Sequence, residues 1–277
     1  MTRLKTSDIS NIPSCLAAYN EQLLKMTGRS LMGIACHACG KDESKIRHRM
    51  ESFMIHVVPV TAGQGIIRDF GQIVTAILEF LGFAAIVSDF SDTSGVAKAF
   101  EDNADAIMMA DDKRFVGLNL KTRLVTDNSE ATGRAFAAAL DLMAKGVRDI
   151  KVLVLGCGQV GGSAAAMLLS SGAELSLYDI QSRAAQGLKK KLSLYPGGDR
   201  IIIEEDADTA LSNCEYVLEA TPCADTISDE QISDHMLIAA AGVPLGISRK
   251  GREILKGRLV HDKLELGVAA MAISLFL

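Results

Sequence analysis

Three glycines form the pattern in this sequence with the clearest chemical meaning. Residues 156–161 read GCGQVG, which matches GxGxxG, and they directly follow the apolar run VLVL. Gly156 permits the tight turn from a strand into a helix, Gly158 lets the backbone approach a pyrophosphate, and Gly161 lets the helix pack closely on the strand. The free N–H groups at the start of such a helix bind phosphate. We therefore predict a dinucleotide site that contains Gly156, Cys157, Gly158, Gln159, Val160 and Gly161.

Asp179 is the residue that selects the dinucleotide. It follows the apolar strand ELSLY, about twenty residues after the glycines, where a carboxylate accepts hydrogen bonds from the adenosine ribose. The same charge repels the 2'-phosphate of NADP, so the predicted cofactor is NAD. Arg183 could meet such a phosphate, but Asp179 already holds the strand-end position. Two alternatives remain open: a glycine turn that binds no nucleotide, and a domain that binds one without catalysis.

Two later strands should border the same site. VLEA is followed by a Thr-Pro turn, and LIAAA is followed by Gly-Val-Pro. Because ligands collect at the carboxyl ends of parallel strands, Ala220, Thr221 and Pro222 should line the cofactor, and Gly242 should lie at its nicotinamide end. Cys223 stands beside them, but no histidine is near it in the sequence to generate a thiolate. We therefore interpret Cys223 as a wall residue.

The stretch AIMMADDKRF, residues 106–115, carries the second chemical signal. Five apolar residues run directly into Asp111, Asp112, Lys113 and Arg114. A buried strand must surface somewhere, so the charges are compatible with a plain solvated turn. They are equally compatible with a carboxylate at a strand end that holds a substrate ammonium group. No histidine or lysine stands out as a base, which favours catalysis by positioning in a dry cleft.

The composition narrows the class of protein. The chain has 277 residues, 48% of them hydrophobic, with 29 basic and 34 acidic residues and a net charge of -5. Without a long basic run it is a poor match for DNA or RNA, so we predict a small-molecule ligand and no nucleic acid. The N-terminal residues lack a continuous apolar segment, and the apolar tail from Leu264 is too short to span a bilayer. We predict a cytoplasmic protein with no membrane partner.

The six cysteines are irregularly spaced, which is not typical of a disulfide framework. Cys36 and Cys39 have the CxxC spacing of a metal or redox pair. A zinc site needs two further ligands, and no second pair stands at comparable spacing. A redox pair normally opens a helix directly after a strand, and the residues before Cys36 look helical. We predict small thiols packed in a helical layer, and no metal.

The arrangement of apolar residues predicts an α/β fold. Residues 7–50 have an amphipathic, mostly helical pattern, and between 55 and 110 strands alternate with helices, which favours a parallel sheet covered by helices. A hairpin or extended connection follows at 115–128, and an alanine-rich helix at 129–146 links it to the glycine motif. The predicted domains are 1–146, an N-terminal helical and α/β domain; 147–263, a C-terminal Rossmann domain with a doubly wound parallel sheet; and 264–277, a helix that packs on the first domain. We expect the substrate in the cleft between the domains, beside the nicotinamide.

Several stretches together resemble one family. They are VPVTAGQGII, MMADDKRF, GLNLKTRLVTDN, LGCGQVG, EATPCADTI and GVPLGIS, which spread over most of the chain. They resemble the dehydrogenases that perform the last step of pyrrolysine biosynthesis. The resemblance implies an NAD-dependent oxidation of the terminal amine in the ornithine part of L-lysine-Nε-3-methyl-D-ornithine. The oxidised end would then condense with the other ornithine amine to give the pyrroline ring.

The same resemblance implies substrate contacts at particular residues of this chain. They are Leu4 on the first helix, Thr61 and Ala62 in the turn TAGQG, Asp111 and Asp112 after the strand AIMMA, and Asp262 near the site. Asp111 is predicted as the catalytic residue, the carboxylate that holds the substrate ammonium group. Lys113 and Arg114 are predicted to lie in a solvated turn. The family has serine at the position of Ala62, which puts a hydroxyl contact there in doubt. The first helix is a candidate lid.

Two other functions are compatible with the pattern. An enzyme similar to shikimate or methylenetetrahydrofolate dehydrogenases would also place an Asp/Asn-bearing loop, as in TDNSEATG, before the Rossmann half. Shikimate enzymes use a catalytic Lys-Asp pair, and no clear lysine counterpart stands in this chain. A non-catalytic NAD-sensing protein is the second alternative. For the assembly, a homodimer is a candidate.

Overall fold

A computed structural model describes residues 4–276 of the chain. In chain order its elements are α1 Thr6–Ile9, α2 Ile12–Thr27, α3 Leu31–Ala38, α4 Glu43–Met50, β1 Met54–Val57, α5 Phe70–Leu81, β2 Ala84–Val87, α6 Asp92–Glu101, β3 Ala106–Ala110, β4 Phe115–Asn119, β5 Val125–Asp127, α7 Asn128–Met143, β6 Lys151–Leu155, α8 Gln159–Ser170, β7 Glu174–Tyr178, α9 Ser182–Leu192, β8 Ile201–Ile203, α10 Ala207–Ser212, β9 Tyr216–Glu219, β10 Leu237–Ala240, α11 Arg249–Ile254, β11 Leu259–His261 and α12 Glu265–Leu275.

These residues form two compact units. Unit 1 contains the described residues up to Glu21, residues Leu31–Ala131 and the described residues from Leu264 onward. Unit 2 contains Gln22–Ser30 and Thr132–Lys263. Helices α2 and α7 each contribute to both units. The sequence-based boundary at residue 146 assigns all of α7 to the first domain, whereas the contacts of α7 from Thr132 onward belong to unit 2.

Unit 1 contains a mixed sheet with the strand order β2-β1-β3-β4-β5. The first three strands are parallel, with Val57 opposite both Val87 and Met108. The hairpin that follows is antiparallel, with Met108 opposite Gly117. Because β1, β2 and β3 run in the same direction, their carboxyl ends meet at one edge of the sheet. The turn TAGQG at 61–65 and the charged turn at 111–114 therefore lie at the same edge.

Helix α12 completes the core of unit 1. Its side chains are buried from Glu265 to Leu275, as expected for a helix that is apolar on all faces. Asn119 at the end of β4 donates a hydrogen bond from Nδ2 to the carbonyl oxygen of Leu275 at 2.7 Å. A cluster of three aromatic rings packs edge to face around the end of this helix, with ring centroids 5.2 to 6.1 Å apart: Phe53, Phe83 and Phe276.

Unit 2 contains a sheet of six parallel strands in the order β11-β10-β9-β6-β7-β8. From β6 the chain adds β7 and β8 on one side, returns to β9 beside β6, and continues outward through β10 and β11. This is a doubly wound sheet, and the strand order reverses between β6 and β9. Ligands bind at such a switch point, outside the carboxyl ends of the strands. The predicted fold class, an N-terminal helical plus α/β domain followed by a Rossmann domain, is confirmed.

Element ends follow local sequence signals where those signals are strong. Strands β3 and β7 have the ends that their apolar runs predict, and α5 ends at Leu81 because Gly82 adopts a φ of 97°. The helix predicted to reach Gly146 ends at Met143, three residues earlier. Among the described residues, no helix is both long enough and apolar enough to cross a membrane.

Candidate active site

The glycine turn after β6 has the geometry that its sequence predicts. Gly156 has a φ of 90°, and a Cβ there would lie 2.7 Å from the carbonyl oxygen of Ala220. A Cβ at Gly161 would lie 1.8 Å from the carbonyl oxygen of Gly156, so only glycine lets α8 start this close to the strand. A Cβ at Gly158 would meet nothing within 4 Å. The space in front of the α8 N-terminus, formed by Gly158, Gln159 and Val160, is therefore open to a phosphate group.

Asp179 lies next to this turn at the end of β7. Its Oδ2 accepts a hydrogen bond from the Cys157 N–H at 2.7 Å, and its Oδ1 accepts one from the Gln181 N–H at 2.8 Å. The Gly156 N–H donates to the carbonyl oxygen of Tyr178 at 2.9 Å. These bonds fix the carboxylate beside the phosphate-binding turn, where a bound dinucleotide would present its ribose.

Cys157 is not a nucleophile in this environment. Its thiol is buried and donates weakly to the carbonyl oxygen of Tyr178 at 3.6 Å. Burial raises the pKa of the thiol to about 12, and the negative charge of Asp179 adds to this. The thiol stays protonated at neutral pH. Cys157 therefore contributes its backbone N–H rather than its sulfur to the site.

The segment after β9 forms the other side of the switch point. The Ala220 N–H donates to the carbonyl oxygen of Leu155 at 2.8 Å, so the strand pairing with β6 continues to the glycine turn. Thr221 and Pro222 follow directly and lie at the same end of the sheet. The structure thus brings Ala220 and Thr221 next to Gly156, and Pro222 follows them in the chain.

Glu219, the last residue of β9, is an ionisable residue near the switch point that sequence reasoning missed. It is fully buried, and its Oε1 accepts hydrogen bonds from the N–H and the Oγ1 of Thr221, the former at 2.7 Å. Burial raises the pKa of the carboxyl group to about 7, although these bonds and the nearby N–H groups of Gly242 and Gly246 oppose the rise. The signal in the sequence was a single Glu within the apolar run VLEA.

Gly242 lies directly against this carboxylate. A Cβ at residue 242 would stand 2.3 Å from the carbonyl oxygen of Thr221 and 2.5 Å from Glu219 Oε2. The next peptide bond, between Val243 and Pro244, is cis. Glycine is required at 242 because the loop after β10 passes within contact distance of the loop after β9.

In unit 1, Asp111 begins the tight turn that joins β3 to β4. Its Oδ1 accepts hydrogen bonds from the N–H groups of Lys113 and Arg114, both at 2.7 Å. The bonds from Arg114 and Lys113 hold the pKa of the exposed carboxyl group below its ordinary value. The residue therefore carries a full negative charge at neutral pH. Arg114 is held by an ion pair, because its Nε lies 3.0 Å from Oδ2 of Asp127.

The turn TAGQG is fastened to two aspartates at the same edge of the sheet. The N–H and Oγ1 of Thr61 donate to Asp92 at 2.9 and 2.6 Å. The Gln64 N–H donates to Oδ2 of Asp112 at 2.6 Å. Ala62 is exposed between these two attachments. The structure thus brings Thr61, Ala62 and Asp112 close together beside the turn that Asp111 begins.

The predicted residues Leu4 and Asp262 belong to different units. Leu4 is partly buried in unit 1, two residues before α1 begins. Asp262 is buried in unit 2, directly after β11. Its neighbour His261 lies with Nδ1 2.9 Å from the carbonyl oxygen of Ala240, and burial lowers the pKa of the ring.

Two buried polar atoms near the end of β5 also escaped sequence reasoning. Thr126 Oγ1 and Asn128 Oδ1 have no hydrogen-bond partner among the described residues. A buried acceptor without a partner is costly, so such atoms are candidates for contact with a ligand or ordered water. The signal in the sequence was the stretch TDNSEATG, whose asparagine stands at the start of α7.

The described residues contain no group of three or more side chains suited to hold a metal ion. Cys36 is buried in α3. Cys39 Sγ lies 3.3 Å from Ser274 Oγ and 3.6 Å from the carbonyl oxygen of Ala270. Both thiols pack in a layer of helices.

Comparison with known proteins agrees with this arrangement. Residues 8–126 match the family described as "Pyrrolysine biosynthesis protein PylD, N-terminal domain", and residues 128–240 match "Alanine dehydrogenase/PNT, C-terminal domain". The solved quinate dehydrogenase from Corynebacterium glutamicum in complex with NAD is similar in fold, with a TM-score of 0.57 at 14% identity over 81% of this chain and 93% of that chain.

Two curated relatives match almost from end to end. The pyrrolysine synthase of Methanosarcina acetivorans is 32% identical over 99% of this chain and 100% of its own length. The pyrrolysine synthase of Methanosarcina barkeri is 30% identical over 99% of this chain and 98% of its own length. The resemblance predicted from short stretches is confirmed over the whole chain, which therefore belongs to the pyrrolysine synthase family.

Proposed function

We propose that this protein is an NAD-dependent amine dehydrogenase that forms L-pyrrolysine. Its substrate is L-lysine-Nε-3-methyl-D-ornithine, and the product arises by oxidation of the terminal amine followed by ring closure. The observation that carries the proposal is the glycine turn with Asp179 at the switch point of unit 2, in a chain that matches curated pyrrolysine synthases over nearly their full length.

The chemistry requires two steps. Bound NAD would accept a hydride from the carbon that carries the terminal amine, and loss of a proton from the nitrogen would leave an imine. The other ornithine amine then attacks the imine carbon, and ammonia leaves as the cyclic C=N bond forms. Because an ammonium ion cannot give up hydride, the enzyme must hold the amine in its neutral form at the moment of transfer.

Unit 1 supplies the groups for the substrate in this proposal. Asp111 binds the substrate amine through its ionised carboxylate, whose Oδ1 is already fixed by the turn. A fixed acceptor loses little conformational entropy when it binds the ammonium group, which must then lose a proton before hydride transfer. Thr61, Ala62, Asp112 and Leu4 form the surrounding contacts, and Asp262 of unit 2 is a further contact. Ala62 supplies no hydroxyl.

Unit 2 supplies the cofactor site. Gly156 to Gly161 bind the pyrophosphate, and Asp179 binds the adenosine ribose. We assign NAD rather than NADP because the charge of Asp179, whose carboxylate is fixed by bonds from Cys157 and Gln181, would repel a 2'-phosphate. Ala220, Thr221, Pro222 and Gly242 complete the walls. A homodimer and a cytoplasmic location stay predictions.

The test is incubation of the protein with synthetic L-lysine-Nε-3-methyl-D-ornithine and NAD. The expected result is NADH formation together with a product that mass spectrometry identifies as pyrrolysine, with NADP much less effective. Shikimate serves as the control substrate. NADH formation with shikimate alone would favour the shikimate dehydrogenase alternative, and NAD binding without any turnover would favour a sensing protein.

A further inference from the structure

Glu219 is a carboxyl group in an environment that water does not reach. Its side chain is fully buried at the end of β9, beside the switch point. Oε1 is bonded to Thr221, whereas Oε2 has no hydrogen-bond partner of normal geometry among the described residues. Burying a carboxylate without a charged partner costs free energy, so the burial of Glu219 calls for a physical explanation.

The groups around the carboxylate are all hydrogen-bond donors without charge. They are the N–H and hydroxyl of Thr221 and the peptide N–H groups of Gly242 and Gly246. Thr226 continues the network, because its Oγ1 lies 2.9 Å from the Oγ1 of Thr221. Donors surrounding an acceptor favour the ionised form, which opposes the effect of burial.

These donors belong to two separate loops. Thr221 and Thr226 lie in the loop after β9, and Gly242 and Gly246 lie in the loop after β10. A second connection joins the same loops, since the Ile227 N–H donates to the carbonyl oxygen of Gly246 at 2.9 Å. The carboxylate therefore lies between two loops that this backbone bond joins directly.

Gly242 and Gly246 leave the space that the carboxylate of Glu219 occupies. A Cβ at Gly242 would lie 2.5 Å from Glu219 Oε2, and a Cβ at Gly246 would lie 3.1 Å from the Glu219 carboxyl carbon. At both positions the absence of a side chain lets the peptide backbone approach the buried oxygens.

We propose that Glu219 is a positioning residue for the dehydrogenase reaction, and that its carboxylate fixes the loops after β9 and β10 as one wall on the nicotinamide side of the cofactor site. The assignment rests on the function proposed above. When the carboxyl group is protonated it becomes a donor that faces other donors, and its attraction for the N–H groups of Gly242 and Gly246 is weakened. The two loops are then joined by the backbone bond from Ile227 to Gly246 and by the Ser248 hydroxyl, which donates to Asp229 Oδ1 at 2.6 Å.

The consequence is a cofactor affinity that depends on the protonation of one buried group. We expect the affinity for NADH to fall by about tenfold as pH decreases through about 7, the change in equilibrium constant that corresponds to one hydrogen bond to a charged group. The decisive variant is Glu219→Gln, which keeps the size of the side chain but does not titrate. It should bind NADH weakly, with an affinity that is flat across the same pH range.

The experiment is direct titration with NADH from about pH 6 to about pH 8, followed by cofactor fluorescence. The chain contains no tryptophan, so the protein does not obscure the signal. Glu215→Gln is the matched control, because Glu215 is exposed just before the same strand. It should behave like the wild type. Far-UV circular dichroism on every sample checks that the fold is retained.

Each outcome decides the assignment. The proposal is supported if the wild type shows the pH dependence and Glu219→Gln removes it. It is overturned if Glu219→Gln binds NADH as tightly as the wild type does at every pH. It is also overturned if the NADH affinity of the wild type does not change with pH, and this second measurement needs no variant. If the wild type binds no NADH at any pH, the proposed function itself fails, and this assignment with it.

Discussion

Glu219 also makes a specific prediction about stability. An acid whose pKa is higher in the folded state contributes stability that is present below its unfolded pKa and lost as pH rises through its folded pKa. For Glu219 these values are 4.5 and about 7. At about 1.4 kcal/mol for each pH unit between them, the full effect is about 3 kcal/mol, of which about 2 to 3 kcal/mol falls between about pH 5 and pH 8.

Glu219→Gln should remove this dependence. As pH rises from about 5 to about 8, the free energy of unfolding of unit 2 should fall by about 2 to 3 kcal/mol more in the wild type than in the variant. Buried His261, whose pKa burial lowers, acts on unit 2 in the opposite direction, because its contribution is lost as pH falls below the unfolded value of 6.5. It acts equally on both proteins, so the difference between the proteins isolates Glu219.

Urea denaturation followed by far-UV circular dichroism measures the effect. The transition of unit 2 can be recognised as the one that NADH shifts to higher urea, since a ligand stabilises only the unit that binds it. A difference between wild type and variant that is the same at pH 5 and pH 8 would refute the reasoning. It would mean that the carboxyl group titrates normally in the folded protein.

Three further predictions concern the candidate site. Asp179→Ser should weaken NAD binding by about tenfold or more with little effect on the affinity for the amine substrate; equal NAD affinity in isothermal titration would show that the ribose contact is misassigned. Asp111→Asn keeps an oxygen for the turn bonds but removes the charge, so turnover should fall at least about tenfold in a folded protein; full activity, or unfolding with normal activity in the folded fraction, would make the aspartate structural. Gly158→Ala should fold, because its Cβ would meet nothing within 4 Å, and it should lose NADH affinity. Gly161→Ala should instead lower the melting temperature, because its Cβ would lie 1.8 Å from a carbonyl oxygen. Equal melting temperatures for the two variants would contradict this reasoning.

The glycine turn and the strands were predictable because their signals are local. Gly161 is required by its contact with Gly156, five residues earlier, and Gly156 by its own φ of 90°, although a Cβ there would also meet the distant Ala220. The apolar runs of β3 and β7 end where a charged residue begins. The surroundings of Glu219 were not predictable. Its donors Gly242 and Gly246 lie more than twenty residues away, and the letters VLEA do not reveal which side chain points into the protein.

The role of Asp111 could not be decided from the sequence for a different reason. Its bonds to the N–H groups of Lys113 and Arg114 are local, and an aspartate that begins a tight turn commonly makes them. The sequence therefore contained both a structural and a functional explanation for the same carboxylate. Arg114 is exposed in this turn, and it also pairs with Asp127, thirteen residues away across the hairpin, because β4 and β5 bring the two side chains together. The sequence did not reveal this pair.

The burial of α12 bears on how the chain is made. Unit 1 packs its core around a segment that the ribosome translates only after the whole of unit 2. Most of unit 1 therefore emerges first yet cannot bury the surfaces of α3, α5 and β4 that α12 covers. Domains generally fold in the order of synthesis, but here the unit that contains the N-terminal helices must be the last to acquire its native core.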